Sequence, residues 1–118
     1  MIEFHVKESE RNEYYSRIAH HMRIAIAANR DSDYELEREE CAKAFDLLLE
    51  VMDRQEAIAA MLMTDNRTTE LRTIVEALDN LAWAITWTMP NDSASVRAYL
   101  KEAFDAIGKL KELIPDER

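Results

Sequence analysis

Only one glycine and two prolines occur among the 118 residues of this chain, so the backbone has few positions at which it turns easily. Glycine and proline punctuate local structure more strongly than other residues. Between these few turn signals, apolar residues recur every three or four positions, as they do along one side of an α-helix. The sequence therefore predicts an all-α fold in which long helices are joined by short connections.

Capping residues and prolines divide the chain into four predicted helices, at about residues 9–29, 33–63, 67–89 and 93–114. Ser32 and Glu35 have the spacing of a capping box before the second helix, and Pro90 stops the third. Short connections force neighbouring helices to run in opposite directions. We therefore expect an antiparallel up-down-up-down four-helix bundle that forms one domain over residues 1–118, with residues 1–8 as a short extended N-terminal arm.

Each predicted helix carries an apolar stripe that should face a common core. The stripes comprise Tyr15, Ile18, Ala19, Met22, Ala25 and Ile26 on the first helix, Tyr34, Cys41, Ala44, Phe45, Leu48, Met52, Ala59 and Leu62 on the second, Leu71, Ile74, Val75, Leu78, Leu81, Ala82 and Ile85 on the third, and Val96, Leu100, Ala103, Ile107, Leu110 and Ile114 on the fourth. The second helix is longer than its neighbours, so it either protrudes or breaks near Gln55, which falls on its apolar stripe.

The charge of the chain restricts its partners. Asp and Glu number 24 against 15 Lys and Arg, for a net charge of −9. Such a chain repels phosphate backbones and anionic membrane surfaces, so we expect no direct contact with nucleic acid or membrane. The single cysteine, Cys41, excludes an internal disulfide and suits a reducing cytoplasm.

Most of this charge lies in one segment. Residues 32–66 hold ten acidic and three basic residues, a net charge of −7, whereas the rest of the chain carries −2. At 100° per residue, five of these acids project along one side of the second helix, opposite its apolar stripe. They are Glu35, Glu39, Asp46, Glu50 and Asp53. A continuous row of acids would attract a basic surface, so these five residues are predicted to bind a partner.

Two tryptophans form a second candidate binding surface. Trp83 and Trp87 lie one turn apart on the third helix and project roughly opposite the stripe of Leu71, Leu78 and Ile85. Tryptophan buries a large area when it is covered, and it is a favoured anchor at protein interfaces. We expect the pair to be covered either by another chain or by the N-terminal arm.

One acidic pattern resembles a known enzyme family. Glu76 and Asp79 form a Glu-x-x-Asp pair like that of the MazG-type nucleotide pyrophosphatases, all-α enzymes that hold magnesium with this pair and an earlier Glu-x-x-Glu pair. The earlier pair would be Glu37 with Glu40, which lies farther upstream than in the family. The nearer candidates, Glu50 with Asp53 and Asp53 with Glu56, depart from the family pattern. The resemblance implies a magnesium-dependent nucleotide hydrolase, but it covers about one helix, and Glu76 projects away from the core. We therefore predict no catalytic residue, no metal ligand and no cofactor.

The leading functional hypothesis is an acidic binding protein or inhibitor that occludes a basic surface of a partner protein or of a nucleic-acid-binding complex. In size, charge and helical class the chain resembles toxin-immunity proteins and anti-CRISPR proteins of phages. The alternatives are a MazG-like pyrophosphatase and a structural module that self-associates, for example as a homodimer. Acids that converge on one cleft would favour the enzyme, whereas acids that diverge over the surface would favour the binding protein.

Overall fold

The computed structural model describes residues 8–62, 65–90 and 92–113, and within them the side chains of 11–53, 69–90 and 92–112. The chain forms four helices, α1 Glu8–Arg30, α2 Tyr34–Leu62, α3 Asp65–Thr88 and α4 Ser93–Leu113. Each helix packs against its neighbours in the sequence, and α1 also packs against α4. The predicted all-α, antiparallel four-helix bundle is thereby confirmed. The expected N-terminal arm lies outside the described residues, except that Glu8 already belongs to α1.

Helix α2 runs without interruption from Tyr34 to Leu62, so the break considered near Gln55 does not occur. Its 29 residues make it the longest of the four helices. At 1.5 Å per residue it measures about 44 Å. This helix carries the charged residues on which the functional hypothesis depends.

The connection between α1 and α2 is only three residues long. Ser32 has a positive φ of 57°, the left-handed conformation that ends many helices. The amides of Ser32 and Asp33 donate to carbonyls in the last turn of α1 at 3.2 and 2.9 Å, which is the hydrogen-bond pair of a Schellman motif. The Asp33 carboxylate then accepts the amide three residues ahead at 3.2 Å and caps α2. The predicted capping box of Ser32 and Glu35 is therefore wrong, because Ser32 closes α1 and Asp33 takes the capping position.

The apolar stripes meet in the interior of the bundle as predicted. The largest fully buried apolar side chains come from all four helices: Tyr15, Ile18, Met22, Leu48, Ile74, Leu81, Leu100, Ile107 and Leu110. Two predicted core residues lie on the surface instead, since Val75 is 53% exposed and Ala82 is also exposed. In the described part of the chain α3 packs alongside α2 and α4 and reaches α1 across the bundle through Glu70, so its outward side stays uncovered.

Candidate protein-binding surfaces

The five acids predicted to form a row on α2 do lie together on its outer side. Glu35, Glu39, Asp46, Glu50 and Asp53 are all exposed. We call this set the acidic ridge. It extends over 18 residues of an unbroken helix, about 27 Å. The side opposite the ridge carries the buried residues Cys41, Ala44 and Leu48, so the core fixes the direction in which these carboxylates point.

The structure describes the side chains of two basic residues of α2, Arg38 and Lys43, and neither of them neutralises the ridge. Lys43 Nζ lies 3.0 Å from an oxygen of the buried Glu40. The Arg38 guanidinium donates to the hydroxyl and carbonyl oxygens of Thr88 on α3, at 3.3 Å each. Within the ridge, Glu50 accepts a hydrogen bond of 2.7 Å from the Tyr14 hydroxyl. No ion pair between described side chains involves the other four ridge acids, so their charge faces solvent.

Three further glutamates are buried, which the sequence analysis did not predict. Glu37, Glu40 and Glu70 are each at most 4% exposed. The positions of the first two contained the signal, because Glu37 and Glu40 precede the buried Cys41 and Ala44 by one helical turn and so share their stripe. Acidic residues are almost never fully buried without a partner, so their charge alone would assign these glutamates to the surface.

Glu37 and Glu40 differ in how their charge is compensated. Neither carboxylate oxygen of Glu37 accepts a hydrogen bond from the described residues. Burial raises the pKa of Glu37, and the nearby Asn29 amide and Arg38 charge oppose that rise only in part. Burial also acts to raise the pKa of Glu40, but hydrogen bonds from Lys43 and His21 outweigh it and hold that pKa below its usual value.

Cys41 lies between these glutamates and the core. Its side chain is buried. The pKa of the Cys41 thiol is raised to about 12, mainly by burial and in second place by the negative charges of Glu37 and Glu40. With this pKa the thiol is protonated at neutral pH. Because only the thiolate acts as a nucleophile or binds a metal, Cys41 is unreactive there.

Glu70 belongs to a buried polar cluster that joins α1 to α3 across the bundle. The Arg11 guanidinium donates to a Glu70 carboxylate oxygen at 2.9 Å, and the Tyr15 hydroxyl donates to the same oxygen at 2.6 Å. The side chains of Arg11 and Glu70 are each 5% exposed. Because this ion pair is buried and Tyr15 adds a hydrogen bond to it, the cluster connects two helices and is not accessible to a ligand.

The acids that resemble the MazG motif lie in different environments. Glu76 and Asp79 are exposed on the outer side of α3. Glu37 and Glu40 are buried, and Glu40 points to His21 on α1. In the described part of the chain, no group of three or more His, Cys, Asp or Glu side chains is placed to hold a metal ion. The buried Glu37 and Glu40 therefore do not share a cleft with the exposed Glu76 and Asp79.

The two tryptophans have different surroundings. Trp83 is 47% exposed and stacks on Tyr99 of α4, with ring centroids 6.2 Å apart and an interplanar angle of 23°. Trp87 is half-buried and packs against the core, and its indole nitrogen is buried without a hydrogen-bond partner among the described residues. Trp83 is thus the member of the pair that a partner can reach. The arm expected to cover the pair lies outside the described residues.

None of the described helices combines the length and apolar character needed to cross a membrane. Comparison of the chain with protein-family models, with curated proteins and with solved structures gives no match. The functional conclusion therefore depends on the surfaces described above.

Proposed function

We propose that this protein is an acidic binding protein or inhibitor that covers a basic surface on a partner protein with the acidic ridge of α2. The partner surface is lined by Lys and Arg, as are the grooves of nucleic-acid-binding complexes. By occupying such a groove, the protein would exclude its natural ligand, which is the kind of action that immunity proteins and anti-CRISPR proteins perform.

One observation supports this proposal most: four of the five ridge carboxylates are exposed and form no ion pair with a described side chain. Aligned charge of one sign steers a complementary partner and accelerates the encounter. The ridge is about 27 Å long. A standard interface buries about 800 Å² on each partner, roughly 30 Å across, so the ridge fits one interface.

Trp83 adds an exposed aromatic anchor on a second side of the molecule, where it stacks on Tyr99. We propose that the protein binds its partner in the cytoplasm, where a lone buried cysteine such as Cys41 stays reduced.

The test is a charge reversal on the ridge. The variant Glu39→Lys/Asp46→Lys/Asp53→Lys leaves Glu50 in place, because Glu50 accepts the hydrogen bond from Tyr14. Proteins retained from a lysate of the native host by the unaltered chain are identified by mass spectrometry. The association rate constant of each purified candidate is then measured by surface plasmon resonance at low and high salt.

A matched control reverses three exposed acids on α4, Glu102→Lys/Asp105→Lys/Glu112→Lys, and so changes the net charge by the same amount. We expect the ridge variant to associate about tenfold or more slowly at low salt, with a smaller change in dissociation and a smaller salt dependence. The control should differ much less from the unaltered chain. Equal association rates for the two variants would contradict the proposal.

A further inference from the structure

Helix α3, with Met89 in the turn directly after it, carries an apolar seam of which the bundle covers only half. Leu71, Leu78 and Ile85 are spaced by seven residues and pack at least partly toward the interior, whereas Val75, Ala82 and Met89, also spaced by seven, are exposed. Val75 is 53% exposed and Met89 is 69% exposed. Together the six positions alternate by four and three residues, which is the a/d pattern of a helix that packs on another helix. We call Val75, Ala82 and Met89 the open strip.

The open strip faces the α2 side of α3. Trp83 stacks on Tyr99 and therefore marks the side of α3 that faces α4. At 100° per residue, Val75 and Ala82 lie about 80–100° from Trp83 around the helix, on the far side from α4. Because α2 and α4 are the helices that pack against α3, the strip borders α2.

The neighbouring side of α2 is also apolar. Arg38 marks this side, because its guanidinium contacts Thr88 near the end of α3. Ala42, Phe45 and Leu49 follow Arg38 by 4, 7 and 11 residues and so lie along the same side of α2. Ala42 is exposed, and Phe45 and Leu49 are partly buried. By this projection the open strip and these α2 residues border the seam along which the two helices pack, and we call this apolar seam the α2–α3 groove.

Carboxylates border this groove on both sides. Asp46 and Asp53, members of the acidic ridge, lie one turn beyond Ala42 and Leu49. On α3, Asp79 lies one turn beyond Val75 and is exposed, while the exposed Arg72 lies near the same end of the strip. A second copy of the chain would bring its own acidic ridge toward these carboxylates, and that like-charge contact is unfavourable. An occupant with basic residues beside an apolar stripe would match both the apolar residues of the groove and the carboxylates beside it.

We infer that the α2–α3 groove takes an amphipathic helix of the partner, with its apolar stripe on Val75, Ala82 and Met89 and its Lys or Arg residues toward the acidic ridge. From Val75 to Met89 the strip measures about 21 Å, which corresponds to four turns of such a helix. Docking of an amphipathic helix in an apolar groove is a common mode of peptide recognition. This inference rests on the proposed function, since it identifies the part of a basic partner that the ridge would meet.

The probe is a fluorescein-labelled synthetic peptide of about 18 residues, long enough for five turns, with Leu and Ala in heptad positions and Lys beside them. A scrambled peptide has the same composition and charge but no apolar stripe. Binding is measured by fluorescence anisotropy, and circular dichroism checks that each protein variant is folded. The variants are Val75→Asn/Met89→Gln in the strip, the ridge triple reversal, and Leu36→Gln as a control at an exposed apolar residue on α2.

The scrambled peptide and the strip variant should each bind about tenfold or more weakly, since burial of one apolar side chain is commonly worth a factor of ten. Leu36→Gln should bind like the unaltered chain, and the ridge variant should weaken binding at low salt. Equal affinities of the strip variant and Leu36→Gln would overturn the inference; if the ridge variant then still lost binding, the proposed function would stand. If only the strip variant lost affinity, the ridge proposal and the basic character of the occupant would both fail. A doubled solution mass that the strip variant abolishes would identify a second copy as the occupant and overturn the inference.

Discussion

Glu37 is a carboxylate held in the interior of an apolar bundle, and its ionised form opposes folding. Its oxygens accept no hydrogen bond from the described residues, and burial raises the pKa of Glu37 above 4.5. Between the unfolded and folded pKa values the folded chain binds more protons than the unfolded chain. The penalty from Glu37 is therefore present above its folded pKa and is relieved as the pH falls through that value.

Glu37→Gln should raise the free energy of unfolding at pH 8 by about 1–3 kcal/mol, because the variant removes a buried charge that the Asn29 amide and the Arg38 charge offset only in part. The gain should shrink as the pH falls through the raised pKa of Glu37, where the carboxylate of the unaltered chain takes up its proton. Urea denaturation of both proteins at several pH values measures the difference, in which the opposite contribution of Glu40 cancels. A variant that is less stable than the unaltered chain at pH 8 would show that the carboxylate has a favourable partner.

Glu70→Ala should be strongly destabilising, by about 3–5 kcal/mol, because it removes the carboxylate that the buried Arg11 guanidinium binds at 2.9 Å. The Tyr15 hydroxyl loses its hydrogen bond to Glu70 in the same variant. Glu76→Ala is the matched control, since it makes the same change at an exposed position of the same helix and should stay within about 0.5 kcal/mol of the unaltered chain. Equal midpoints in thermal or urea denaturation would show that the buried pair adds nothing to stability.

At the scale of the helices, the turn between α1 and α2 uses two residues for two roles: Ser32 ends α1, and Asp33 caps α2. The sequence pattern had assigned the capping of α2 to Ser32. Ser32→Gly should stabilise the chain by about 0.5–1 kcal/mol, because glycine adopts the positive φ of 57° without the clash that a Cβ atom causes. Ser32→Ala should have little effect, since Asp33 caps α2. A loss of about 1 kcal/mol in the alanine variant, measured by urea denaturation, would instead identify Ser32 as the cap.

The helices themselves were predictable, because few glycines and prolines and a regular apolar period leave little choice of element. Their uncovered sides were not. Val75 and Ala82 have the period of core residues, but periodicity does not reveal how many neighbours a helix has. In this bundle α3 has two neighbours, so half of its apolar seam stays open. The same periodicity contains Glu37 and Glu40, which a rule that acids are exposed assigns to the surface.

At the scale of the whole molecule, the segregation of charge was visible in the sequence, and the structure adds where that charge points. The sequence placed −7 of the net charge in residues 32–66 and projected five acids onto one side of α2. Two other acids of that segment turned out to be buried, and Lys43 compensates one of them rather than the ridge. Such pairings depend on side-chain contacts between helices, which a one-dimensional pattern does not contain. The binding role of the ridge stays a prediction.

Polar contacts lie near both ends of α1, and their positions bear on how the helices are held lengthwise. Near its start, Arg11 and Tyr15 bind Glu70; near its end, the buried Asn29 donates to the Ser93 carbonyl at 3.0 Å and accepts from Arg97 at 3.1 Å. The apolar side chains in the middle of α1 give little resistance to a shift of the helix along its axis. A shift of one turn, about 5.4 Å, brings similar side chains into similar positions. The same shift would separate both polar groups at once. These two polar groups therefore fix the axial register of α1 in the bundle.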